Sequence, residues 1–396
     1  MTAARAREPL PDVVKSLGWV SFFTDAATEM VYPVIPIFLT VTLGAPVVAV
    51  GVTEGLADGI STGLRAVSGW LSDRYRRNKL QVLIGYGLAA ITKPFMALAG
   101  AWGTVAALRA SDRVGKAIRN APRDVIIADA TPPQQRGRAF GFHRAMDSSG
   151  AVLGPLIAVA FLLLFGKDNL RPLFVIAFVP GLLAILLLLR IPESTKPAAH
   201  EWEPKPLPWR GPYGFFVAVT LLFGIGNSSD AFLLLRAKNV GLSVVGVIAV
   251  YALFNVLYAA ISYPAGVLSD RIGRLPLFAG GLVVFALVYA GFGAVHRGVL
   301  VWPLYAVYGV YMALTDGIGR ALVVDHVPDD VRGKAIGVWQ ALYGAAVLVS
   351  VVIAGVLWDR VSPSAPFYFG AATAIAAAAL LIAGRPALRT RGTARA

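Results

Sequence analysis

Apolar blocks of roughly 20 residues, the length that spans a bilayer as a helix, follow one another along the chain between short polar turns. Runs such as FLLLF (161–165) and LLAILLLLR (182–190) are continuously apolar and show no period-two alternation. They read as helices rather than as strands of a membrane barrel. Only helices and closed barrels satisfy their backbone groups in lipid. Twelve helical spans are expected, over 18–40, 46–68, 80–100, 104–125, 138–165, 171–190, 212–235, 243–265, 276–295, 299–322, 335–356 and 365–384. The polar, Pro-rich stretch IPESTKPAAHEWEPKPLPWRG (191–211) is the one clear linker. The expected fold is therefore all-α and integral to a membrane, with six-helix bundles over 1–190 and 212–396. The second bundle ends in a basic tail.

Composition agrees with this pattern. The chain is 57% hydrophobic and 15% charged, against about 25% charged in soluble domains. It has no cysteine, which excludes disulfides, thiol nucleophiles and thiolate metal sites. A net charge of +14 would suggest nucleic acid in a soluble protein. Here Lys and Arg collect on alternate turns: Arg74, Arg76, Arg77 and Lys79, then Arg136 and Arg138, then Arg271 and Arg274, then Arg332 and Lys334, then the tail. The positive-inside rule accounts for that asymmetry and puts both termini in the cytoplasm. The N-terminus lacks the compact pattern of a cleaved signal peptide. A multi-pass protein of the cell (inner) membrane is expected, with lipid as its surroundings and no nucleic-acid partner. The four histidines are dispersed (His143, His200, His296, His326) and form no metal-ligand pair. Gly115-Lys116 lacks the remainder of a phosphate loop. No enzyme activity, cofactor or resident metal is expected.

The two halves repeat. GWLSDRYRRNKL (69–80) matches GVLSDRIGRLPL (266–277), and DATPPQQRGRAFG (129–141) matches DHVPDDVRGKAIG (325–337). Internal duplication of this kind marks transporters built from repeats. The first pair also resembles the loop between the second and third helices of the major facilitator superfamily. Gly69, Asp73, Arg74 and Arg77 match in the first copy, and Gly266, Asp270, Arg271 and Arg274 in the second. The resemblance implies a gate at the cytoplasmic side. Gly69 and Gly266 would let a neighbouring helix approach, and Asp73 and Asp270 would face a helix N-terminus. In the fifth helix GAVLGP, with Gly150, Gly154 and Pro155, resembles the element typical of the family's antiporters and implies export by proton exchange. Plain small-residue packing is the competing explanation.

Ionisable groups inside membrane helices are expensive and mark functional sites. In the fourth helix Arg109, Asp112, Arg113, Lys116, Arg119, Asn120 and Arg123 recur at three and four, forming one cationic stripe. Pro122 is expected to mark the bend or end of that helix. The first helix carries Asp25 and Glu29, the second Glu54 and Asp58, and the fifth His143 and Asp147, again at helical spacing. Acids on these three helices can meet bases on the fourth, and pairing makes their burial far cheaper. A buried carboxylate beside a cation can exchange that partner for a proton. Asp25 or Glu29 is the expected proton carrier, with Arg113 as switching partner; a static salt-bridge cluster is the alternative. In the second half Asp230 takes a place like that of Asp25, and Phe232, Phe254, Tyr258 and Trp339 are candidates for an apolar substrate wall.

These features together indicate a monomeric secondary transporter working by alternating access, coupled to protons and exporting a small organic molecule. Two alternatives stand beside it. One is efflux of a metal ion or chelate with Asp25, Glu29 and Asp230 as oxygen ligands. The other is a transporter-like sensor that binds without transport.

Overall fold

The computed structural model describes residues 9–75, 78–132, 135–166, 170–193, 206–328 and 331–384. Among these every regular element is helical, and the helical segments fall into twelve spans in order. They are α1 (Asp12–Thr42), α2 (Val47–Tyr75), α3 (Asn78–Ala97), α4 (Trp102–Ala130), α5 (Arg136–Phe165), α6 (Arg171–Leu189), α7 (Pro212–Asn239), α8 (Val244–Ile272), α9 (Arg274–Ala294), α10 (Val301–Asp325), α11 (Arg332–Arg360) and α12 (Ala365–Ala383). Ten of them are long and apolar enough to cross a membrane. The other two, α2 and α4, are 29 residues each, and α4 carries the densest run of ionisable residues. Large apolar side chains such as Leu98, Leu164, Leu287 and Tyr263 are more than 60% exposed. A surface this apolar belongs against lipid.

Several helices outrun their expected spans. A 29-residue helix is about 44 Å long, longer than the roughly 30 Å hydrocarbon core. α2 and α8 therefore continue through the motif stretches, so Gly69, Asp73, Arg74, Gly266, Asp270 and Arg271 are helical rather than in loops. α4 likewise runs on to Ala130, and Pro122 lies inside it instead of ending it. α1 starts at Asp12, and Pro33 and Pro36 lie among short 3₁₀ and π segments over its last turns, since proline removes a ladder donor. The expected single seventh helix is two helices, Pro212–Gly226 and Asp230–Asn239, parted at 227–229. Ser229 caps the second piece by accepting a hydrogen bond from the Ala231 amide at 3.3 Å.

The chain forms two compact units: Met1–Leu43 with Leu56–Glu201, and Gly44–Gly55 with Trp202–Ala396. In the first, α1 packs on α5 and α6, and α3 packs on α4 and α6. Glycines set the crossings. A Cβ on Gly150 would lie 2.2 Å from the Phe22 carbonyl oxygen, and one on Gly154 2.5 Å from that of Ala26. Gly85 and Gly115 meet the same way, each 2.5 Å from the other's carbonyl if given a Cβ. The backbones of α3 and α4 are thus in direct contact.

In the second unit α10 packs on α8 and α9, and α12 on α7 and α9. Its core is aromatic: Phe285 stacks on Tyr289 at 3.9 Å between centroids, and Phe223, Tyr308 and Tyr311 close around them. Arg236 is buried. It donates to the carbonyls of Phe292 (3.0 Å) and Val295 (2.9 Å) at the end of α9. The first turn of α2 belongs to this unit. Asp359 of α11 accepts hydrogen bonds from the Val47 and Val48 amides at 3.2 and 2.8 Å, and Gly51 abuts the Val351 carbonyl.

Candidate functional site

The ionisable side chains of the first unit gather around α4. The close approach at Gly115 turns one side of that helix towards α3, and this divides the expected stripe in two. Arg109, Asp112 and Arg119 are buried at 1%, 5% and 4% exposure. Arg113, Lys116, Asn120 and Arg123 are half-buried.

On the buried side, Asp112 lies 3.6 Å from Arg109 Nη1 and 3.7 Å from Lys93 Nζ of α3. Lys93 also donates to the Ala89 carbonyl at 2.7 Å. The Arg109 guanidinium stands over the Tyr32 ring at 5.1 Å, and that of Arg119 over the Tyr86 ring at 4.3 Å. An aromatic face replaces part of the hydration these cations lose. One carboxylate thus serves two cations directly, with Arg113 and Arg119 also close to it.

On the half-buried side, Asp25 of α1 and Asp147 of α5 lie side by side. Asp147 also accepts from Ser21 Oγ at 2.6 Å and from Arg144 Nη1 at 3.1 Å. Lys116 lies beside both acids, and Glu29 is near Asp25. His143 is buried close to Asp147, Arg123 and Arg144. Arg123 pairs with Asp124 at 2.9 Å. The fold therefore brings together Asp25, Glu29, Lys116, His143 and Asp147 from α1, α4 and α5. Glu54 is buried in the part of α2 that belongs to the second unit, and Asp58 is half-buried in the first.

In the second unit Asp230 accepts a 2.6 Å hydrogen bond from Tyr308 Oη. Asn227 donates to Tyr343 Oη at 2.8 Å, and Asp316 receives Tyr258 Oη and Arg320 Nη2, both at 2.8 Å. Trp339, expected in an apolar wall, is buried and donates from Nε1 to Thr220. Phe254 and Tyr258 stack on each other, and Phe232 is fully buried.

The duplicated motif is described in part. The side chains at Gly69, Asp73, Arg74 and Asp270, and all of Arg77, lie outside the described residues. Arg274 pairs with Asp325 at 2.6 Å, and Arg271 is exposed. Among the described residues a Cβ on Gly266 would touch nothing within 4 Å. The backbone demand falls instead on Gly273, whose φ of +94° links α8 to α9 in a region that favours glycine. Gly150, Gly154 and Pro155 sit on the side of α5 that packs against α1 or nearby, all but Pro155 in backbone contact with it.

Sequence reasoning passed over Lys93, Ser21, Tyr86 and Tyr308. Lys93 carried a readable signal, as a cation in the apolar interior of α3, far from the polar first turn that holds Lys79. The hydroxyl groups carried none, because Ser and Tyr are ordinary in membrane helices.

Comparison with known proteins places this geometry in context. The profile of the family described as Major Facilitator Superfamily matches residues 17–235 and 215–395. An "Uncharacterized MFS-type transporter" of Methanocaldococcus jannaschii is 32% identical over 380 residues, covering 92% of this chain and 93% of that protein. The multidrug resistance protein MdtH of Photorhabdus laumondii is 31% identical over 128 residues, 32% of each chain. Among solved structures, a POT family transporter in complex with 5-aminolevulinic acid superposes with a TM-score of 0.80 at 13% identity, over 96% of this chain and 97% of that one. The last likeness concerns the fold alone.

Proposed function

The chain belongs to the Major Facilitator Superfamily and is a multi-pass membrane transporter, and from that premise we propose that it exports a small organic molecule in exchange for protons by alternating access. The observation that carries the proton reading is the contact between Asp25 and Asp147 inside two membrane helices, with Lys116 beside both. Two carboxyl groups and a cation in one half-buried cluster can trade a proton for an ion pair as their surroundings move. The pair Asp25–Asp147 is the proton site in this proposal, with Glu29 next to it. Lys116 takes the switching role that spacing had assigned to Arg113.

Export is supported by the Gly150–Gly154–Pro155 element of α5 and by the partial likeness to MdtH, whose printed name is a multidrug resistance protein. The distribution of Lys and Arg supports cytoplasmic termini in the cell's inner membrane. The transporter is proposed to act as a monomer. Among the described residues no group of three or more histidine and acidic side chains is placed to hold a metal ion, so the geometry favours an organic substrate over a metal ion.

The test is flux in proteoliposomes under an imposed pH gradient, read with fluorescein-type anionic and ethidium-type cationic dyes. The wild-type protein should accelerate movement of a dye only when the gradient is present. Asp25→Asn and Asp147→Asn should each abolish that acceleration and leave gradient-free exchange intact. Gradient-driven flux unchanged in both variants, and in Glu29→Gln, would refute the proton assignment.

A further inference from the structure

The acids around α4 are already engaged. Asp112 holds Lys93 and Arg109, Asp124 holds Arg123, and Asp147 holds Ser21, Arg144 and Asp25. Glu29 has an interaction of its own as well. On α4 itself the buried atoms with no hydrogen-bond partner are guanidinium donors. Arg113 Nε is buried without a hydrogen-bond partner, and so are Nε and Nη1 of Arg119, whose residue is only 4% exposed. Lys116 stands between them in the sequence and close to both in space. Buried donors without acceptors are costly and rare in folded proteins, and three on two guanidinium groups in one helix face demand an explanation.

We propose that Arg113, Lys116 and Arg119 form the recognition site for an oxyanion, the carboxylate, phosphonate or sulfonate group of a transported organic anion. A guanidinium offers a fork of donors that fits two oxygens of such a group. The three residues follow at intervals of three along α4, so their heads share one arc of the helix. The backbone contact of Gly115 with Gly85 fixes that arc in place. Arg113 and Lys116 are half-buried, which leaves an approach open, while Arg119 closes the inner end against the Tyr86 ring.

This inference takes only the word "transported" from the proposed function, and its test needs no flux. Thermal unfolding of the full-length protein in detergent is followed with matched aromatic probes: benzoate and benzamide, phenylphosphonate and benzyl alcohol, and phenethylammonium. The acidic member of each pair should raise the midpoint, and its neutral counterpart and the cation should not. Arg113→Gln and Lys116→Gln should lose the shift, while Lys15→Gln, an exposed residue paired with Asp12, should keep it. Equal shifts from neutral probes, no shift from any probe, or a shift that survives in both variants would each overturn the proposal. The wild-type panel decides the matter by itself if a variant does not fold. A midpoint raised by phosphatidylglycerol in nanodiscs, with no response to the soluble anions, would assign these donors to lipid headgroups and also overturn it. Anion binding without any flux would sink the transport reading and leave this one standing.

Discussion

Asp112→Asn is the most informative single perturbation of the buried charges. The carboxylate lies 3.7 Å from Lys93 Nζ and 3.6 Å from Arg109 Nη1, with all three residues at most 5% exposed. At an effective dielectric constant of about 20, each contact is worth about 4 kcal/mol of gross Coulomb energy. Removing the charge forfeits both but also relieves the desolvation of Asp112, and a buried pair broken on one side typically costs about 3–5 kcal/mol. Asp112→Asn should therefore destabilise by that amount. Lys93→Met should cost less than Asp112→Asn, because Asp112 keeps Arg109 and the cluster loses one of its surplus cations, so no charge is left buried alone. The double variant should be more stable than Asp112→Asn alone, since one of the two orphaned cations has gone. The assay is reversible unfolding in mixed micelles at fixed lipid, run as a double-mutant cycle. Asp112→Asn within 1 kcal/mol of wild type would refute the reasoning, as would additive single effects.

Two further outcomes follow from the packing. Gly154→Ala should reduce folded yield on fluorescence size-exclusion chromatography, because its Cβ would lie 2.5 Å from a backbone carbonyl oxygen of α1; overpacking of this kind costs about 1–3 kcal/mol or more. Gly141→Ala, on the same helix but facing open space, should be neutral or slightly stabilising. Tyr308→Phe removes the 2.6 Å hydrogen bond to Asp230 and should cost about 1.5–3 kcal/mol if Asp230 is ionised, which the same unfolding assay measures.

Much of the architecture was legible because lipid is an unforgiving solvent. Continuous apolar runs had to be helices, and their number, order and duplication could be counted. Helix ends were less legible. Helices such as α2, α4 and α8 run on past the hydrocarbon, where hydropathy stops reporting on structure, so motif residues expected in loops are helical. The break at 227–229 is not legible in the sequence because side chains meet its freed backbone groups, Ser229 Oγ accepting from the Ala231 amide and Tyr289 Oη donating to the Ser228 carbonyl, with no proline or glycine at those positions.

The candidate site divides along the same line. Period alone placed Asp25, Glu29, Asp147 and the cations of α4 on helix faces, because a helix brings residues three and four apart to one side. Which charge meets which was decided by the crossings between helices. Gly150 and Gly154 bring α5 against α1 and so set Asp147 on Asp25; Gly85 and Gly115 bring α3 against α4 and so deliver Lys93 to Asp112. Those pairings join residues 19 to 122 positions apart in the sequence, and no local pattern encodes them. The sequence by itself determined that this chain spans a membrane as a duplicated helical bundle, since each span must satisfy its own backbone in lipid. The tertiary structure decided which acids and cations lie side by side and which guanidinium donors are buried without a partner, since ion partners are chosen by packing across helices and not by spacing along one.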